Sequence, residues 1–168
     1  MEPTDNHDHS HGLDEACDCG HHHHHDDNCG CGHHHHHDDH DAKTISTNVG
    51  GGVALCRSSS HEGAHIVSCS LELENATLSA SCLANVLRAV ASDMEKLGGI
   101  VGHIKCAAAE DGKSLRISTT QAGLEPTLVI DGLKDLTDES EINIAVIVFG
   151  VEHGEIIDSL LTRLEQVF

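Results

Sequence analysis

Between Cys17 and His40 the chain carries one metal-ligand string twice. Cys17, Cys19 and Gly20 lead His21, His22, His23, His24 and His25, and Asp26 and Asp27 follow. Twelve residues after Cys17 the string returns: Cys29, Cys31 and Gly32 lead His33, His34, His35, His36 and His37, then Asp38, Asp39 and His40. Thiolate and imidazole are the side chains that hold late transition metals. A purification tag would supply one run of histidines, but not two runs each led by Cys-x-Cys-Gly and trailed by Asp-Asp. The duplication points to selection on ligand number, and His7, His9 and His11 lie near enough upstream to add to it. Cys-x-Cys is too tight for the Cys-x-x-Cys knuckle of a zinc finger, so adaptable sites that recruit ligands from both repeats are expected. At about four ligands per ion, 14 His and 4 Cys could fill about four sites.

Three regions must carry these residues and the rest. Residues 1–42 hold 11 Asp and Glu and no Lys or Arg. So little aliphatic content cannot offset the entropy of ordering a backbone, and the sequence predicts a disordered tail until metal binds. Residues 43–64, with Gly50-Gly51-Gly52 and Ser58-Ser59-Ser60, read as a flexible linker with one apolar patch at Val53, Ala54 and Leu55. No Gly-Lys-Ser/Thr follows the three glycines, so they make no phosphate loop and no nucleotide is expected. Residues 65–168 read as one domain with a single core.

In that domain Val67, Cys69, Leu71 and Leu73 alternate with polar residues as a half-buried strand does. Leu83, Val86, Leu87, Val90, Met94 and Leu97 recur at helical spacing, with Ser79 or Ser81 as cap and Gly98-Gly99 as stop. Ile100 to Ala108 and Leu115 to Thr119 read as a hairpin turning at Asp111-Gly112. Thr127 to Ile130 adds a short strand. Ile142 to Phe149, apolar almost throughout, reads as a central strand covered on both faces. Ile156, Leu160, Leu161, Leu164 and Phe168 mark an amphipathic helix. The predicted fold is α+β: a two-layer sandwich with a mainly antiparallel sheet of about four strands and two helices.

Composition narrows the function. A net charge of −19, with Trp and Tyr absent, leaves neither a basic surface nor a stacking platform for nucleic acid. No apolar run reaches membrane-spanning length and the first residues are too polar for a secretion signal, so no membrane partner and a cytoplasmic location are expected. In a reducing compartment eight Cys read as thiols or ligands rather than a disulfide framework. Cys69 and Cys106 fall on apolar strand positions and Cys82 near a helix start, where core roles outweigh ligand roles without removing them. Cys56 and His61, on the expected linker, could complete a tail site. His103 could meet His65 or His153 across the sheet. Cys106 with His103 makes no nucleophile–base pair, because an odd separation on a strand puts the two on opposite faces. Nothing assembles a nucleophile, a base and an oxyanion site, so no enzyme is expected.

The strings Ile104-Lys105-Cys106 and Leu115-Arg-Ile-Ser-Thr-Thr-Gln-Ala-Gly123, followed by the strand–helix unit from Ile142 to Phe168, succeed one another as in the C-terminal domain of CobW-type GTPases. Residues 65–168 resemble that domain. The family comprises metallochaperones for zinc, cobalt or related metals, many with His-rich segments. Its nucleotide-binding domain and its Cys-x-Cys-Cys motif are missing here, so the resemblance implies no GTP hydrolysis. The His tracts also resemble tails of nickel-insertion proteins for hydrogenase, urease and carbon monoxide dehydrogenase, which places nickel ahead of zinc. The combined expectation is a cytosolic metal-binding accessory protein that stores or delivers Ni(II) or Zn(II), with Co(II) third, to a client or partner GTPase. The alternative is a metal-responsive interaction or regulatory module, and a metalloenzyme ranks last. The physiological metal, the client and the oligomeric state stay open.

Overall fold

Alternating apolar and polar side chains build most of the architecture in the computed structural model, which describes residues 43–168. The elements run β1 (Thr44–Asn48), β2 (Gly52–His61), β3 (Ala64–Leu73), β4 (Leu78–Ser79), α1 (Ala80–Lys96), β5 (Ile100–Glu110), β6 (Lys113–Thr119), β7 (Thr127–Asp131), β8 (Asp135–Leu136), β9 (Glu141–Phe149) and α2 (His153–Glu165). Seven strands form one sheet in the order β1-β2-β3-β9-β5-β6-β7, and β4 pairs with β8 beside it. Neighbouring strands of the large sheet all run antiparallel. The fold is α+β, as the periodicities predict, but the sheet has seven strands where about four were expected.

The helices sit where their caps and stripes put them. Ser79 Oγ accepts the Cys82 N–H at 3.2 Å and opens α1, which satisfies a donor the first turn would otherwise leave orphaned. Leu83, Val86, Leu87, Val90 and Met94 are buried along one side of α1. Ile156, Leu160 and Leu164 do the same for α2, whose first turn is closed by Glu155 accepting the Glu152 N–H at 3.2 Å. Both helices pack on the face of the sheet that carries Val67, Cys69, Ile104, Cys106, Ile117, Ile144 and Val146. Asp93 of α1 ties the helices together, accepting from Arg163 Nε and Nη2 at 2.9 Å each and from Ser159 Oγ at 3.1 Å. No helix among the described residues is long and apolar enough to cross a membrane.

Two expectations need correction. Residues 43–64 are not a flexible linker: they contain β1 and β2, and Ala54, Cys56 and Ser58 are buried. Their glycines mark close packing rather than looseness. A Cβ on Gly52 would stand 2.1 Å from the Glu72 carbonyl oxygen, and one on Gly51 would stand 2.4 Å from the Phe168 ring. Glu62 and Gly63, at φ of 49° and 80°, then turn β2 into β3 as a two-residue hairpin, the geometry that a type I′ turn requires. Asp111 and Gly112 repeat it between β5 and β6, at 47° and 76°. The second correction concerns β9. It is central, fourth of seven, but the helices cover only one of its faces. Glu141 and Asn143 are exposed on the other face, with Ala145 and Ile147 half-buried. Phe168, expected on the last helix, lies beyond Glu165 and packs on Gly50 and Gly51.

Candidate functional site

The expected metal ligands Cys17, Cys19, His21–His25, Cys29, Cys31, His33–His37 and His40, with His7, His9 and His11, lie outside the described residues. Their chemistry rests on type and spacing.

The other four cysteines and four histidines are placed by the fold. Strand register sets Cys56 opposite Cys69, Cys69 opposite Ile144, and Ile144 opposite Cys106. Three thiols therefore share one row on the helix-covered face, and each is at most 2 % exposed. Cys69 is pushed well above the ordinary thiol range, first by its hydrogen bond with Cys56 and then by burial. Burial alone pushes Cys106 up to about 12. An apolar surrounding disfavours the thiolate, which is the form that binds metal. Cys56 thus belongs to the core and does not face outward from a linker as the sequence had it. Cys82 is half-buried on the first turn of α1.

His61 is exposed beside Glu62, with 3.8 Å between Nε2 and Oε1. His65 and His153 do meet: their ring centroids are 4.5 Å apart and tilted by 44°. His153 Nε2 contacts the Ser59 carbonyl at 2.8 Å and Ser60 Oγ at 3.3 Å, and His65 Nδ1 is buried with no partner among the described residues. His103 does not join them. It follows the irregularity between β5 and β9 and shares the uncovered face with Lys105, whereas His65 points to the α2 side. Among the described residues no group of three or more His, Cys, Asp or Glu is positioned to hold a metal ion.

A broad concavity lies elsewhere, on the uncovered face of the sheet. It measures about 830 Å³ and is lined by side chains of β2, β3, β9, β5, β6 and β7. Arg57, Lys105 and Arg116 reach into it, and no carboxylate among the described residues lines it. Sequence reading missed this site. The polar positions that alternate with Cys56, Cys106 and Ile117 carry the signal, but only the strand order shows that they converge. Comparison of the chain with protein-family models, with curated proteins and with solved structures returned no match.

Proposed function

We propose that this chain is a metal-binding accessory protein whose ligands are the cysteines and histidines of residues 1–42. One observation carries the reading: the string Cys-x-Cys-Gly-His-His-His-His-His-Asp-Asp occurs twice in 24 residues, from Cys17 to His40. A single structural ion needs about four ligands, so the duplicated set serves several exchangeable ions. Ni(II) and Zn(II) are the cargo, because five-histidine runs offer imidazole in excess and both metals accept it with thiolate. The described domain supports the reading from the other side. Its core is continuous and three of its four cysteines, Cys56, Cys69 and Cys106, are buried within it, which favours the tail for metal chemistry. The resemblance of residues 65–168 to the C-terminal domain of CobW-type GTPases adds the destination: a client protein or partner GTPase in the cytosol.

Equilibrium dialysis of the reduced full chain against Ni(II) and against Zn(II) tests this reading. The expected stoichiometry is about two to four ions per chain, falling as pH drops from about 7.5 to about 5.5 because imidazole then takes protons in place of metal. A chain beginning at Lys43 should bind none. Saturation at one ion, unaffected by that deletion, would remove the tail from the function.

A further inference from the structure

The helices cover one face of the seven-stranded sheet, and three of the domain's cations cluster on the other. On the helix side Arg88 faces Glu125, and Arg163 and Lys96 both face Asp93. On the open side Arg57, Lys105 and Arg116 are exposed, and none pairs with a carboxylate among the described residues. In a chain of net charge −19, three clustered cations without acids between them form a site with a sign of its own.

Register fixes their spacing. Arg57, Ser68, Ala145 and Lys105 stand in one row across β2, β3, β9 and β5. Three steps of about 4.8 Å separate Arg57 from Lys105 by roughly 14 Å at the backbone. Ser118 continues the row on β6, and Arg116, two residues away on that strand, is the diagonal neighbour of Lys105. One end of the concavity thus holds one guanidinium and the other holds an ammonium with a second guanidinium. The floor between them holds Ser68 and Ala145 in the first row and Ser70, Asn143 and Ala107 in the next, with Asn143 Oδ1 accepting from Ser70 Oγ at 2.9 Å. Leu55, 38 % exposed, and Val129, 46 % exposed, flank it with apolar surface. The nearest carboxylates on this face lie one row further along: Asp131 on β7, diagonal to Arg116, with Glu72 and Glu141, and Glu141 accepts from Asn143 Nδ2 at 3.3 Å.

A second copy stacked face to face would set three cations against three and leave them unpaired, which argues against self-association here. The concavity of about 830 Å³ is of the size that encloses small ligands, roughly 300–1,000 Å³. We propose that this face binds an elongated organic dianion: one acidic group at Arg57, the other at Lys105 and Arg116, and an apolar body across Ala107 and Ala145. Carboxylate and phosphate ends supply the same chemistry to a guanidinium.

Isothermal titration of the reduced, metal-free full chain tests the site with suberate, which carries a carboxylate at each end, and with hexane-1,6-bisphosphate. The expected result is saturable one-to-one binding of at least one of them, with octanoate about tenfold weaker or worse, since it offers one charge to a two-ended site. Arg57→Gln, and separately Lys105→Gln with Arg116→Gln, should weaken binding at least tenfold. Lys134→Gln, off this face, should leave it unchanged, and matching thermal melts would show that all variants fold. Preference for suberate identifies a dicarboxylate, and preference for the bisphosphate a phosphate ester. Three outcomes overturn the proposal: neither probe saturates, the glutamine variants bind as tightly as the parent, or an oligoglutamate peptide binds where both small dianions fail.

Discussion

Cys56, Cys69 and Cys106 are thiols that the fold has taken out of circulation. They form one cross-strand row under the helices, and burial or mutual hydrogen bonding holds Cys69 and Cys106 in the protonated state. Because the thiolate is the nucleophile, and Cys56 is shielded by its complete burial, native full-length protein treated with iodoacetamide at pH 8 should leave these three unmodified and alkylate Cys82 slowly. Urea should expose all four; peptide mass mapping reads the difference, and rapid native labelling of Cys69 or Cys106 would contradict their placement. Cys69 and Cys106 were legible in the sequence because their strands alternate cleanly. Cys56 was not, since Gly50-Gly51-Gly52 and Ser58-Ser59-Ser60 around it imitate a linker. The glycines are there because Gly51 and Gly52 have no room for a Cβ. The proposed tail ligands stand out for the opposite reason: a repeat is local and needs no fold to be seen. Lys105 and Arg116 are joined by the β5–β6 hairpin, but Arg57 comes onto their face only because β9 links β3 to β5.

Caps and periodicity located α1, α2 and the β5–β6 hairpin, whereas the extent of the sheet depended on β1 and β2, which short small side chains disguised. That error has a consequence for truncation. A chain starting at His65 loses β2, its buried Ala54 and Cys56, and the ten-residue register that covers the edge of β3. It should aggregate or melt without cooperativity, while a chain starting at Lys43 should melt cooperatively without metal. Circular dichroism distinguishes the two, and equal stability would mean that β1 and β2 are dispensable. The contact between helices gives a second test. Asp93 is held below the ordinary carboxylate range, first by the Arg163 hydrogen bonds, against a smaller opposing effect of burial. A carboxyl depressed in the folded state stabilises above its unfolded pKa, near 3.9, and that contribution is lost as pH falls through the folded value. Asp93→Asn should therefore cost about 1–3 kcal/mol near neutral pH, with the gap to the parent closing below about pH 4. Denaturant melts at pH 7 and pH 3 measure it; a gap that stays constant would show that the ion pair contributes nothing.

Charge divides the whole molecule as its residue types do. Residues 1–42 hold eleven acids and no base, and the remaining seventeen acids are spread over a domain that also holds all nine bases. Divalent ions loaded on the tail would offset its negative charge, while the domain keeps its one basic face for a different, anionic ligand. An α+β fold of this kind hosts many activities, so the functional claim stands or falls on the tail and its metal. The most direct test is the metal content of untagged full-length protein isolated from its own cells in chelator-free buffer at about pH 7.5, where imidazoles are largely deprotonated. Plasma mass spectrometry should find nickel or zinc at more than one ion per chain, released when the pH is brought to about 5.5. Protein that emerges with less than about a tenth of an ion per chain, against the four sites its ligands could fill, would contradict the account.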